Sequence, residues 1–419
     1  MFVLTPSATF RRAVGRGGAV AVPQRLRKPV ISLACLVAVV AIGWSGTHVW
    51  HTWRAHQKID EACAGLVPAG RVLALSPAGG TISHRTAEEG TIELDAGMPQ
   101  DCEIFSTKAG EAYRTHSGER WFFTGAVGVL PSDETWKPED WMDRPLRDQG
   151  PNYPDEPLGG GIAGVVTNSG VTVELPCAEG KASGQSIKAL WARATLEARK
   201  PPFTEDGQVT SHDRDTLARI AVDTANNLAE RLDCADRLPA PPENIPALPK
   251  GPIPAARAEG TCAWYREGGF ARQDGFPDQV LEARTDGKLW DERCLLVLSG
   301  AHADGLWRDE ADTRHHHPPH PDMVGEWWVS LHTYSGEQAK KVAETVPGKA
   351  GHSDDFGWWA SSVCDGKPQI HTMTMAYGYE ELRKTPFEQV FRAYVSDVAA
   401  RRDCTDTTLP ASSTFHGDH

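Results

Sequence analysis

Two distant stretches of the chain share one hydrophobic rhythm. Thr216–Pro239 reads TLARIAVDTANNLAERLDCADRLP and Pro386–Pro410 reads PFEQVFRAYVSDVAARRDCTDTTLP. At an offset of 170 residues, Leu217 pairs with Phe387, Ile220 with Val390, Ala221 with Phe391, Thr224 with Tyr394, Leu228 with Val398 and Cys234 with Cys404. The apolar positions recur at i, i+3, i+4, i+7 and i+11, one face of an amphipathic helix. The shared register, the shared Asp-Cys and the trailing Leu-Pro point to a duplicated module rather than to two unrelated helices.

Upstream of each helix the period changes from 3.6 to 2. Val171, Val173 and Leu175 alternate with polar residues before Cys177, and Trp358–Val363 holds the same place before Cys364. Cys102-Glu-Ile-Phe, Trp121-Phe122-Phe123, Cys294-Leu-Leu-Val-Leu and Trp327-Trp328-Val329 read as buried strands. After the Gly-Lys turns, Ser186–Ala194 and Gln369–Tyr377 alternate again. Each copy is therefore expected to be an α+β domain: an opening helix, an antiparallel sheet and a closing helix packed on one face. The copies are placed at 60–237 and 259–410. Between them, Leu238–Ala258 carries seven prolines, a composition that favours an extended spacer holding the two domains apart. Residues 411–419 are expected to be a disordered tail.

The N-terminal end follows a different rule. No Asp, Glu, Lys or Arg occurs from Val30 to Trp53. About 20 apolar residues suffice to cross a bilayer, so 30–53 is expected to be a transmembrane helix with Trp44, Trp50 and Trp53 near the headgroups. A cleaved signal peptide is the competing reading, but the charge-free stretch exceeds an ordinary signal core. Six basic residues, Arg11, Arg12, Arg16, Arg25, Arg27 and Lys28, precede the stretch, which predicts a cytoplasmic tail over 1–29 and an extracytoplasmic remainder. Charge divides at the same place. Residues 1–59 hold eight Lys or Arg and no acid, whereas the chain as a whole carries −13. An acidic remainder repels phosphate backbones and argues against nucleic acid as a partner.

Composition adds one constraint. With 40% hydrophobic and 24% charged residues the chain is an ordinary globular protein. Nine cysteines leave eight after Cys35, which lies in the apolar stretch: Cys63, Cys102, Cys177, Cys234, Cys262, Cys294, Cys364 and Cys404. None has Cys-x-x-Cys spacing, so disulfides are favoured over zinc. Four cysteines per copy allow three pairings each; the expectation is Cys63–Cys102, Cys177–Cys234, Cys262–Cys294 and Cys364–Cys404.

The opening Cys63-Ala-Gly-Leu-Val-Pro, the strand at Cys102 and the ending Leu232-Asp233-Cys234 together resemble a type of actinobacterial exported protein of unknown function, anchored by a membrane segment or a lipid. The second copy departs from this pattern, because Cys262-Ala-Trp-Tyr lacks the Leu-Val-Pro start. The resemblance implies an envelope location and an α/β module, and no catalytic residues.

Candidate chemistry is sparse. Arg314-His315-His316-His317-Pro318-Pro319-His320-Pro321-Asp322 offers imidazoles suited to weak divalent-metal binding, on a proline-rich loop that reads equally well as a solvated insertion. His352-Ser353-Asp354-Asp355 reads as a turn entering a strand, and Gly159–Gly164 as a connector lacking the lysine of a phosphate loop. No nucleophile elbow or zinc-protease motif is present. Trp327-Trp328 and Trp358-Trp359 offer aromatic surface, with one of each pair expected to face the core. The expectation is a membrane-anchored binding protein of the cell envelope, with the plasma membrane and an envelope component or protein as partners and no cofactor. A hydrolase using Asp or Glu is the alternative.

Overall fold

The computed structural model describes residues 49–85, 91–92, 100–130, 146–147, 150–151, 154–182, 184–205, 207–311, 320, 327–354 and 357–416. The chain divides into two units, Met1–Arg54 and Ala55–His419. In the first, the described residues are helical; the Trp50 and Trp53 rings lie 5.2 Å apart and the Arg54 guanidinium sits over Trp50.

The transmembrane helix expected over 30–53 is overturned. Among the described residues no helix is long and apolar enough to cross a membrane. Helical residues 49–62 include His51, Arg54, His56, Lys58, Asp60 and Glu61, a polar density that hydrocarbon does not tolerate. The remainder of that stretch and the basic tail over 1–29 lie outside the described residues. The single-pass plasma-membrane topology rested on that helix and goes with it.

In the second unit each copy is built on an antiparallel sheet. The first copy contains β1 (Ile82–His84), β2 (Gln100–Ser106), β3 (Arg120–Leu130), β4 (Glu156–Gly159), β5 (Ile162–Val166), β6 (Gly170–Pro176) and β7 (Ala189–Leu196), in the sheet order β1-β2-β3-β7-β6-β5-β4. Alternation decides the faces. Leu190, Ala192, Ala194 and Leu196 of β7 are buried, and so are Val171, Val173 and Leu175 of β6. Helix α1 (Thr107–Tyr113) joins β2 to β3, and α2 (Ser211–Arg231) closes the domain. Thr210 caps α2 by accepting from the Asp213 amide. Leu217, Ile220, Ala221, Thr224 and Leu228, the face read from the sequence, are all buried.

The second copy contains β8 (Ile253–Pro254), β9 (Gln279–Glu282), β10 (Asp291–Val297), β11 (Trp328–Ser335), β12 (Gly351–Ser353), β13 (Gly357–Cys364), β14 (Lys367–Met375) and β15 (Cys404–Thr408). Its sheet runs β8-β9-β10-β11-β14-β13-β12, with β15 beside β13. The block β10-β11-β14-β13 thus repeats β2-β3-β7-β6. Helix α3 (Ala263–Glu267) follows Cys262, α4 (Gly300–Ala311) follows β10, α5 (Gly336–Thr345) follows β11, and α6 (Tyr377–Arg401) closes the domain. Helix α6 begins nine residues before the expected start and runs through Pro386. Buried Tyr379 anchors the added turns by donating its hydroxyl to the Gly275 carbonyl at 2.7 Å. The two cores differ in content. The first is aliphatic around α2, whereas the second packs tilted rings together, Trp264 against Tyr394 at 5.4 Å and Phe276 against Phe387 at 5.2 Å. Helix α5 adds a small cluster, Tyr334, Ala339, Val342, Val346, Trp359 and Ile370, on the other face of the second sheet.

All four expected disulfides are present: Cys63–Cys102, Cys177–Cys234, Cys262–Cys294 and Cys364–Cys404. In each copy one bond ties the opening helical segment to the first strand of the shared block. The other ties the last strand of that block to the residue beyond the closing helix. Asp233 and Asp403, one residue before that cysteine, both take the left-handed conformation that brings the thiol round. Gly180 is required beside the first such bond, because a Cβ there would collide with the Cys177 sulfur. In the second copy Asp365-Gly366, both at positive φ, form the two-residue turn from β13 to β14.

The proline-rich segment does not act as a spacer. Ile245 and Leu248 are buried in the first core. Their backbone groups are captured by side chains: Gln208 with both the amide and the carbonyl of Leu248, Asp215 with the Ile245 amide, and Arg214 with the Ile245 carbonyl. Ile253–Pro254 then becomes edge strand β8 of the second sheet, and Ala255 and Ala258 enter the second core. A ladderless extended chain leaves its polar groups free for such capture. The copies also touch: Arg284 donates to the Glu156 carboxylate at 3.0 Å and to the Pro157 carbonyl at 2.8 Å. The tail expected from 411 is instead packed as far as 416, with Phe415 fully buried and stacked on Trp358 at 5.0 Å.

Replacing Cys177 and Cys234 together by Ala opens a loop of 57 residues and is expected to cost about 2–4 kcal/mol. Urea unfolding followed by circular dichroism reads this as a lower midpoint, and an unchanged midpoint would show that the bond adds nothing to stability.

Candidate functional site

The second sheet buries polar residues where the first buries apolar ones. Register sets them side by side: Glu292 of β10 lies opposite Thr333 of β11, and Thr333 opposite His371 of β14. Ser362 of β13 and Tyr394 of α6 face the same cluster. Glu292, Thr333, His371 and Tyr394 are fully buried, and Ser362 nearly so. The Thr333 hydroxyl is 2.9 Å from His371 Nδ1 and 2.8 Å from the Tyr394 hydroxyl, and His371 Nε2 is 2.9 Å from Ser362 Oγ.

A buried carboxylate needs charge partners. Glu292 has two, Arg401 and Arg402, at the end of α6. Arg402 Nη2 donates to Oε2 at 2.8 Å and Arg401 holds Oε1. Arg401 is further paired with Asp397 at 2.7 Å. Arg402 Nη1 donates to Ser335 Oγ at 2.8 Å and to Gln369 Oε1 at 3.3 Å. Burial alone would raise the Glu292 carboxyl, but hydrogen bonds from Arg401 and the charges of both guanidiniums outweigh it and hold the group below its usual range. Burial pushes the Tyr394 hydroxyl up, and the Glu292 charge pushes it further. His371 moves the other way: burial, then the Arg402 charge, lowers it to about 3, so it is neutral in the fold.

The first copy has nothing comparable. By the same register the positions of Glu292, Thr333 and His371 are Gln100, Val127 and Ala192. Counted from the matched cysteines, Ser362, Tyr394, Arg401 and Arg402 correspond to Leu175, Thr224, Arg231 and Leu232. The first copy therefore closes with Val127, Ala192, Leu175 and Leu232 where the second has Thr333, His371, Ser362 and Arg402, and keeps polar residues, Gln100, Thr224 and Arg231, at the other three positions.

Above the two arginines lies a cleft of about 370 Å³. Ala163, Glu174 and Pro176 of the first copy form one wall. The other is formed by Gly287–Trp290, the start of α5, the turn at Cys364–Lys367, Gln369 and the arginines.

On the opposite face of the sheet a second polar set is aligned. Ser330 Oγ is 2.8 Å from His332 Nε2, and His332 Nδ1 is 2.9 Å from Asp291 Oδ1. Burial would raise the Asp291 carboxyl, but Arg293 at 2.8 Å and then His332 hold it well below the usual range. The order Ser–His–Asp is that of a hydrolytic triad. Yet Ser330 is fully buried and His332 is 1% exposed, and Ser330 sits within strand β11 rather than on an exposed turn. As built, the set satisfies its own hydrogen bonds inside the sheet.

The candidates read from sequence fare differently. His315, His316 and His317 lie outside the described residues; His320 stands with its ring 5.1 Å from Trp307. Among the described residues no group of three or more His, Cys, Asp or Glu could hold a metal. His352 packs on Trp358 at 4.3 Å, and Gly159–Gly161 turn β4 into β5. Trp327, Trp328, Trp358 and Trp359 are all buried, so both members of each pair serve the interior. Trp290, which lines the cleft, and Glu292, His371, Arg401 and Arg402 belong to no functional sequence motif. Their one sequence signal is polar residues interrupting buried strands, as in Ser330-Leu-His332-Thr333 and Ile370-His371-Thr372.

Fold and site together define a disulfide-bonded tandem α/β protein with one polar, cleft-bearing copy. No known protein family, curated protein or solved structure matches the chain.

His371 should make stability depend on pH. The unfolded chain protonates the imidazole near 6.5, the folded chain only near 3. As pH falls through that interval the unfolded state gains a proton the folded state lacks, so stability declines, by up to about 1.4 kcal/mol per pH unit. A His371→Gln variant is expected to flatten the dependence of the urea midpoint between pH 6.5 and about 4.5, above the usual carboxylate range. Parallel curves would rule out a buried neutral imidazole.

Proposed function

We propose that this protein is a binding module rather than an enzyme, and that it takes its ligand, an envelope component or protein partner, in the cleft between the copies. The observation that carries the reading is the departure of the second copy from apolar closure. Thr333, His371, Ser362 and Arg402, whose counterparts in the first copy are Val127, Ala192, Leu175 and Leu232, have been placed beneath the cleft, and Arg402 reaches its lining. Buried polar clusters cost stability unless every member is satisfied, so Thr333, His371 and Ser362, at positions the first copy fills with apolar side chains, call for a role outside folding. The shape agrees: ligand sites are concave, with a few polar groups converging on them. Four disulfides suit work in oxidising surroundings.

A cleft-filling variant tests this. Gly287 lines the cleft and has open space where a Cβ would stand. Purified protein and its Gly287→Trp variant are immobilised and challenged with solubilised envelope material. The expected result is a component retained by the first and lost by the second, with both unfolding at the same urea concentration. Equal retention would place binding elsewhere, and no retention by either would sink the reading.

The Ser330–His332–Asp291 alignment favours a second reading, a hydrolase. A fluorophosphonate probe that modified Ser330 in the native protein, and failed to do so after His332→Ala, would establish it; an unlabelled serine discards it.

A further inference from the structure

Resting on the cleft as the binding site, we infer that what it takes is an oxyanion, a carboxylate or phosphate group, held against Arg402 and flanked by Lys288 and Lys367.

The argument is one of charge compensation. The cleft is lined by four cations, Lys288, Lys367, Arg401 and Arg402, and by two carboxylates, Glu174 and Asp365. Glu174 is engaged in interactions of its own. Of the two arginines, Arg401 has both Asp397 and a share of Glu292. Arg402 has only the other share of Glu292. Its remaining acceptors, Ser335 and Gln369, are neutral, and its Nε–H is buried with no acceptor among the described residues. With 9% of the side chain exposed, little water reaches this guanidinium. An unsatisfied buried donor on a charged group costs more than a neutral one. Lys288 and Lys367, exposed at the rim, form no ion pair among the described residues.

All this occurs in a chain of net charge −13. With Glu174 engaged otherwise, the four cations face three carboxylates, Asp365, Glu292 and Asp397, and the one positive charge left over attracts anions into that place while the acidic remainder repels them. A planar guanidinium pairs with carboxylate or phosphate oxygens in short, charge-assisted hydrogen bonds, whereas a neutral ligand would leave the surplus uncompensated. The wall residue Trp290 adds an apolar plane against which the body of such a ligand can lie.

The test uses the full chain with citrate as the carboxylate probe, pyrophosphate as the phosphate probe and sorbitol as the neutral control, at fixed ionic strength in isothermal titration calorimetry. Citrate, pyrophosphate or both are expected to bind with sorbitol silent, and the stronger of the two identifies the source of the oxyanion. A Lys288→Met/Lys367→Met double variant should weaken that binding on the order of tenfold, while Lys288→Arg/Lys367→Arg retains it. Both lysines are exposed, so neither change threatens the fold; coincident urea midpoints verify this. Silence from both anions, or equal affinity in wild type and the Met variant, overturns the inference. If Gly287→Trp still abolished retention of an envelope component in that event, the cleft would stand as a binding site for a ligand of other chemistry, so the two failures remain separable.

Discussion

One carboxylate organises the second half of this protein. Glu292 enters the core on β10, where a charge without partners would be expelled or neutralised, and two guanidiniums from the end of α6 meet it there. Because Arg401 and Arg402 are the last residue of α6 and the one after it, that ion cluster pins the helix terminus to the sheet. Cys404, two residues further, repeats the restraint covalently through Cys364. Helix position, strand register and the shape of the cleft are set together. The Thr333–His371–Ser362 chain then fills the space between the carboxylate and the rest of the core with hydrogen bonds to an imidazole that burial and the Arg402 charge keep neutral.

The duplicated architecture makes this legible as specialisation. A single domain would offer no standard against which to judge a buried histidine or glutamate. Here the first copy supplies one, since its sheet has the same strand order and its disulfides the same placement, with Val127, Ala192 and Leu175 closing the corresponding space. One copy closes this space with apolar side chains and the other with a polar set. The cleft lies where the second copy faces β5 and β6 of the first, which supplies Ala163, Glu174 and Pro176 as one wall.

Much of the fold was visible in sequence because it is periodic or local. The matched helix faces obey a spacing of 3.6, the strands a spacing of 2, and the disulfides close loops of 32 to 57 residues between neighbouring elements. The site was not visible, for a physical reason. Glu292, Thr333 and His371 are brought together by pairing across three strands, and cross-strand register depends on turns and packing far from those residues. The arginines were within the aligned helices, yet their role appears only once Glu292 is seen beneath them. The apolar stretch near residue 40 misled in the opposite sense: freedom from charge over 30–53 suggested a span, while the described residues at its end continue into a helix dense in His, Arg, Lys and Asp.

The strap of prolines between the copies has a consequence for how the molecule can be taken apart. Ile245 and Leu248 finish the interior of one domain, and within a few residues Ile253–Pro254 supplies the border strand of the next. Only residues 249–252 separate Leu248, which belongs to the first interior, from Ile253, which belongs to the second sheet. An excision on the N-terminal side of Leu248 strips the first domain of an interior side chain, and one on the C-terminal side of Ile253 takes the outermost strand from the second. So short a connection ties the border strand of one domain closely to the interior of the other, and leaves a window of four residues in which the two can be parted.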